Sequence, residues 1–289
     1  MAIPGNVLVA LSSAASWGGG DFCGGMGAKA AGGSTAGALR LVLLMDAASL
    51  AVLLLIVTLG GWTMPHGAPL AWGLASGLAV SISLTAFYIA LSRGEMGSSA
   101  AVSGLLAAAI PAVVSAVLEG APTALRLAGF VLVAVAIWLI AAGPGSSSEG
   151  SRKTLGLAII AGMGFGFFFV SLRMANSLGV FEAMALSRCA SLVSCSLMLL
   201  GMKLRGVPAV RLNREALGWA MAVAVLDTGG NLLFVAATRM GRLDVAAVLA
   251  SLYPASTILL AAWWLHERPT RRQGWGMVVA LAAVVMVTA

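Results

Sequence analysis

Ten apolar runs, each about 20 residues long and almost free of charge, fill this chain from end to end. They cover residues 4–22, 35–58, 70–91, 99–118, 123–142, 154–174, 182–201, 215–238, 245–265 and 272–288. A helix of that length matches the hydrocarbon thickness of a bilayer with modest tilt. No water is present there to bond peptide groups, so each run must satisfy its own backbone and be helical; barrel strands would be about ten residues long and alternating. Composition agrees, with 60% of 289 residues apolar, 9% charged and a mean hydropathy of +1.01. An ordinary soluble domain carries roughly 25% charged residues, and this chain has too little polar surface to coat a water-facing globule. A soluble enzyme is excluded. The expected fold class is an all-α membrane protein of ten transmembrane helices, with the lipid bilayer as its surroundings.

The net charge of +7 invites a nucleic-acid reading, but the basic residues stand singly or in small groups between apolar runs and read as topology anchors. No nucleic-acid partner is expected. Cys23, Cys189 and Cys195 form no paired framework, and the spacing of the last two puts them on different helix faces. His66 and His266 sit at run ends with no second ligand at metal spacing, so neither metal nor cofactor is expected. No Lys or Arg precedes the first run and no cleavage site follows it, so it reads as the first span.

The breaks between runs are turn-like, among them Gly32-Gly33-Ser34, Gly120-Ala121-Pro122 and Gly206-Val207-Pro208. The most flexible linker, Gly143 to Lys153, lies near the midpoint and separates an N-terminal half, 1–142, from a C-terminal half, 154–289. At an offset of 147 residues, Trp72, Phe87, Ala90, Gly94, Pro122-Thr123 and Gly129 fall on Trp219, Phe234, Ala237, Gly241, Pro269-Thr270 and Gly276. Glu119 and Glu267 precede the two Pro-Thr pairs with a one-residue slip. Five helices per half is an odd number, so the second half should enter the membrane inverted, the architecture of alternating-access carriers.

The stretches FYIALSRGEMGSSAAVSGLLAAAIP and FVAATRMGRLDVAAVLASLYPASTILLAAWWLHERPT, with Arg40 and Arg188 early in the second helix of each half, resemble the drug/metabolite transporter superfamily in its EamA-like, ten-helix branch. More narrowly, the chain is similar to the bacterial aromatic amino-acid exporters of that superfamily. The resemblance implies a non-enzymatic exporter of amino acids from a bacterial inner membrane, with Phe, Trp and Tyr preferred. A general metabolite or drug exporter of the same superfamily is the alternative, with a passive channel and an intramembrane enzyme as remote ones. A monomer is the default reading.

Asp21, Arg40, Asp46, Arg188 and Asp227 lie within or near the ends of spans, where a charge facing lipid is costly, so each should face the interior, a partner or water. Asp46 can pair with Arg40 or Arg188. Asp227, Asn231 and Phe234 form one stripe of helix 8, matched in helix 3 by Val80, Leu84 and Phe87 with Ser83 close by. That stripe is either a substrate cavity or a set of interhelical hydrogen bonds. Trp17 in helix 1 and Phe168 in helix 6 can offer ring faces to a ligand and an ammonium group, or serve packing and the aromatic belt. Glycines four residues apart, Gly20 with Gly24 and Gly162 with Gly166, allow close helix approach. Pro111 and Pro254 interrupt helices 4 and 9 and read as hinges or static kinks, with Tyr253 placed to bring its hydroxyl to the second break. For proton coupling Asp227 ranks first and Asp21 second; a facilitator with no coupling ion is the other reading. Trp62, Trp72, Trp138, Trp219, Trp263, Trp264 and Trp275 read as belt or packing residues. Counting Lys and Arg in the loops puts both termini outside, whereas the resemblance implies termini inside.

Overall fold

The computed structural model describes residues 5–61, 66–93, 96–118, 120–141, 149–175, 179–264 and 270–288. Among them all regular structure is helical, in eleven segments: α1 (Gly5–Ala30), α2 (Thr35–Leu59), α3 (Ala68–Arg93), α4 (Met96–Leu118), α5 (Ala124–Ala141), α6 (Glu149–Ala175), α7 (Val180–Leu204), α8 (Arg214–Met240), α9 (Leu243–Ala250), α10 (Tyr253–Trp264) and α11 (Arg271–Thr288). Nine of the ten apolar runs are single helices. The ninth is two, α9 and α10. Six stretches are long and apolar enough to cross a bilayer: Thr35–Leu59, Ala68–Arg93, Lys153–Ala175, Val180–Leu204, Arg214–Met240 and Leu243–Trp264. α1 is as long but richer in Gly and Ser; most of it is buried among other helices, where an apolar lipid-facing surface is not needed. Glu119, Glu267, Pro269, His266 and Trp62 lie outside the described residues.

Local chemistry sets several ends. Ser34 accepts from the Gly37 amide at 3.1 Å and Asn213 from the Ala216 amide at 2.7 Å, each satisfying one of the donors that a helix N-terminus leaves open. Gly32 and Gly33, with φ of +84° and +61°, turn the chain between α1 and α2. The helix α6 starts at Glu149, inside the Gly143–Lys153 linker.

Proline behaves differently from expectation in one of the two helices. α4 runs unbroken through Pro111, so that residue does not interrupt it; a helix loses one hydrogen bond at a proline and can continue. The other helix does break, ahead of Pro254. The Ser251 amide still reaches Ala247, but the Leu252 amide bonds Leu249 one residue short of helical spacing, and α10 starts at Tyr253.

The helices pair closely through glycine. Gly5 lies on Met240, Gly20 on Asp227 and Gly27 on Trp219, so α1 and α8 run antiparallel. Gly73 lies on Leu186, Gly77 on Ser187 and Ala190, and Ser81 donates to Ser194 at 2.9 Å, so α3 and α7 run parallel. The contact of Trp17 with Gly230 between α1 and α8 recurs as Gly164 with Ser83 between α6 and α3, both partners 147 residues apart. Likewise Gly18 brings α1 onto the backbone of α10, and Gly162 and Gly166 bring α6 onto α4. The outward surface is apolar: Leu59, Val117, Val225 and Val285 are each at least two-thirds exposed. Trp138, Trp263, Trp264 and Trp275 are also exposed, and Trp138 carries the Arg272 guanidinium 4.1 Å above its ring.

The glycine contacts differ in what a methyl group would meet. A Cβ at Gly77 falls 2.0 Å from the Ser187 carbonyl oxygen, whereas one at Gly218 meets nothing within 4 Å. Gly77→Ala should therefore destabilise the protein by about 1–3 kcal/mol through overpacking. Gly218→Ala should be neutral or stabilise by up to about 1 kcal/mol, the helix-propensity gain. Thermal unfolding in detergent checks both; equal melting temperatures for the two variants would contradict the close approach of α3 and α7.

Candidate functional site

The buried charges converge on one arginine. Arg188 of α7 is 1% exposed; its Nη1 donates to Asp46 Oδ1 of α2 at 2.6 Å and its Nη2 to Asp227 Oδ2 of α8. A guanidinium fits this role because its fork offers several donors in fixed directions and it stays charged when buried. Ser191 donates to the second Asp46 oxygen, and Thr228 donates to Ser49 at 2.7 Å beside the guanidinium. Of the two partners the sequence offers to Asp46, the structure selects Arg188. Arg40 instead donates to the Val210 carbonyl at the end of the bundle.

Asp227, ranked first for proton coupling from the sequence, is tied into this cluster. Its Oδ2 accepts from Arg188 and from the Asn231 amide at 2.9 Å, one turn along α8. Asp21 has no such partner. It is 8% exposed, bonds to no described residue, and the charged group acting on it is another carboxylate, Asp227.

Both acids open onto a cavity of about 20 Å³, enough for roughly one water. Trp17, Asp21, Val80, Leu84, Phe165, Phe168, Phe169, Asp227, Asn231 and Tyr253 line it. Of the candidates named from sequence, Trp17, Phe168, Asp227, Asn231 and Tyr253 meet here. Ser83, Phe87 and Phe234 do not line it. Ser83 bonds the Ala79 carbonyl at 2.7 Å and backs onto Gly164. Phe87 and Phe234 are fully buried one layer behind, edge-on to Phe165 at 5.5 Å and tilted on Phe169 at 4.7 Å respectively. Trp17 stacks on Phe169 at 4.9 Å between ring centroids and 9° between planes. Tyr253 turns its hydroxyl away from the acids to Ser103 of α4 at 2.7 Å and the Ala100 carbonyl at 3.2 Å. Pro111 lies apart from the lining, and Pro254 adjoins it through Tyr253.

Phe165 and Phe169 escape a reading by stripe because four of the five positions from Phe165 to Phe169 in α6 are phenylalanine. Only the partner helices decide which rings face inward. Val80 and Leu84, by contrast, are foreshadowed by the offset that carries Asp227 and Asn231 onto them.

Comparison with known proteins fits this geometry. Residues 152–289, just under half of the chain, match the model of the EamA-like transporter family. A crystal structure of a protein 14% identical superposes with a TM-score of 0.75, covering 99% of this chain and 97% of the other, a likeness of fold. No curated protein matches the chain. The family match and the long apolar helices together make this a multi-pass membrane protein.

The ion-pair cluster predicts its own failure mode. Arg188→Met leaves Asp46 and Asp227 buried without a countercharge and should cost about 3–5 kcal/mol. Replacing both acids by Asn in the same chain should recover most of that loss. Thermal unfolding and the monodisperse fraction on size exclusion measure it; an Arg188→Met protein as stable as the parent would show that the cluster does not hold the helices together.

Proposed function

We propose that this protein is an alternating-access exporter of amino acids, aromatic ones preferred, carried through the cavity between α1, α3, α6, α8 and α10. The observation that carries the reading is that cavity: aromatic faces from Trp17, Phe165, Phe168 and Phe169 stand beside two carboxylates in the middle of a helical membrane bundle. Ionisable groups at such depth mark a pathway more often than packing. Burying an aromatic side chain against those rings supplies binding at about 25 cal/mol per Å², and the acids supply a site for an ammonium group. The narrow preference for Phe, Trp and Tyr, and the bacterial inner membrane as location, follow from the family resemblance.

An inverted pair of five-helix halves is the architecture assigned with this function, ten spans in all. Three features support it. The family match begins at residue 152, where the second half begins. Contacts recur at the 147-residue offset. Finally, α7 runs parallel to α3 but antiparallel to its counterpart α2, whose Ala36 and Arg40 lie by Leu199 and Lys203 while its Asp46 meets Arg188. In this scheme Pro111 and Pro254 serve as hinges, the second at an actual helix break.

Counterflow of labelled amino acids into liposomes holding the purified protein tests the reading. Saturable exchange of Phe and Trp, faster with substrate on the far side and absent for sugars and nucleotides, is the expected result. Flux that never saturates would replace the carrier with a pore. Saturable exchange of other metabolites with none of Phe or Trp would replace it with a general exporter.

A further inference from the structure

The 147-residue offset pairs the cavity walls in an uneven way. Asp21, Asp227 and Asn231 stand on α1 and α8, which pack on each other; the matching positions are Phe168, Val80 and Leu84 on the paired helices α6 and α3. All six line the cavity, so one wall is polar and its counterpart is apolar.

The polar wall is short of hydrogen-bond donors. A carboxylate only accepts, so Asn231 turns its NH2 to Asp227, and its Oδ1 is left buried with no partner although the residue is 1% exposed. Both oxygens of Asp21 and Oδ1 of Asp227 accept nothing from any described residue. Arg188 stands outside the lining, with both Nη groups committed to Asp46 and Asp227 and only its buried Nε unpartnered, and the Tyr253 hydroxyl is committed to α4. What remains is a set of open acceptors and two carboxylates with a single indole N–H, that of Trp17, and no cation. A buried acceptor without a donor is costly, so the site fits a ligand that brings N–H donors and positive charge.

We propose that the cavity is a primary-ammonium site: a cationic headgroup seated between Asp21, Asn231 Oδ1 and Asp227, with an aromatic or aliphatic body against Phe168, Val80 and Leu84. The proposal rests on the reading of this cavity as the transport site and goes beyond it in substrate class. The ammonium is the recognised group and a carboxylate is not, since a carboxylate here meets the unpaired Asp21, and the nearest guanidinium, Arg188, is already held by Asp46 and Asp227 outside the lining. Arylalkylamines are therefore better ligands than the amino acids that share their side chains, and arylalkanoates are the poorest. Quaternary ammonium groups keep the charge but lose the N–H donors that Asn231 and the carboxylates require, which ranks them below primary amines.

Thermal stabilisation of the purified protein by four probes tests this without requiring transport: phenethylamine, phenylalanine, 3-phenylpropionate and the N,N,N-trimethyl derivative of phenethylamine. Phenethylamine should stabilise at concentrations about tenfold below phenylalanine and below its trimethyl derivative, the scale expected for charge-assisted hydrogen bonds. Phenylpropionate should not stabilise. Asp21→Asn should weaken phenethylamine about tenfold, while Ser194→Ala, at a residue that bonds Ser81 and lies outside the lining, should leave it unchanged. Stabilisation by phenylpropionate equal to that by phenethylamine, no stabilisation by any probe, or indifference to Asp21→Asn in a folded variant would each overturn the proposal. The wild-type probe series decides the matter if Asp21→Asn fails to fold. Counterflow of the same probes separates the two readings: amine binding with no exchange would defeat the carrier and keep the site, whereas exchange of phenylalanine with no preference for the amine would defeat the site and keep the carrier.

Discussion

The bundle depends on a guanidinium that has no access to solvent. Burying Arg188 costs far more than any single contact returns unless its donors meet acceptors of opposite charge. The chain supplies them from two other helices, Asp46 on α2 and Asp227 on α8. One side chain thus fixes the rotation of three helices about their own axes. Because Asp46 takes one end of the fork and Asp227 the other, the inner face of α8 is set, and Asn231 one turn on comes with it. The cavity lies where it does because the arginine is satisfied behind it.

Around that centre, contacts recur at the 147-residue offset with different chemistry. Where α1 offers Trp17 to Gly230, α6 offers Gly164 to Ser83; in each pair a glycine leaves room for the side chain opposite, with the glycine on the other partner. Such exchanges free the halves to differ in polarity, which is how a structure with near-symmetric contacts arrives at a cavity with a charged side and an oily side. A strictly symmetric cavity could bind one end of an amphipathic molecule or the other, but not both at once.

Much of this is legible in the residues. The ten runs fall on the observed helices to within a few residues except at the amino end, where α1 continues to Ala30, eight residues past the apolar run, its glycines packed closely against Tyr88, Leu41 and Trp219 of other helices. The 147-residue offset leads from Asp227 and Asn231 to Val80 and Leu84. A stripe taken to i+7 stays within about 20° of the same face, yet Phe234 and Phe87, both at that position, fall outside the cavity lining and fill the core instead. The choice of Arg188 over Arg40, and the isolation of Asp21, depend on which helices touch. No spacing along one helix encodes that. The same holds for proline: the removed hydrogen bond is local and readable, but whether α4 bends or α9 breaks is decided by neighbours.

A cavity with room for one water must widen before it can hold an organic ligand, and the structure shows which contacts can give way. Between α1 and α10 Gly18 meets the Tyr253 and Thr257 backbone, and between α6 and α4 Gly162 meets the Ser103 backbone while Gly166 takes the Ile110 side chain. Those interfaces are tightly filled and leave little room to rearrange. Across the cavity the contacts are ring on ring, Trp17 with Phe169 and Phe87 with Tyr253, together with the Tyr253 hydroxyl on Ser103. An aromatic pair is worth about 0.5–1.5 kcal/mol beyond the area it buries, and a ligand ring offers the same kind of surface in exchange. Parting the rings therefore costs little that an entering aromatic ligand does not return. Parting the glycine contacts would cost close packing that no ligand replaces, so the two walls are expected to move as units with their glycine seams intact.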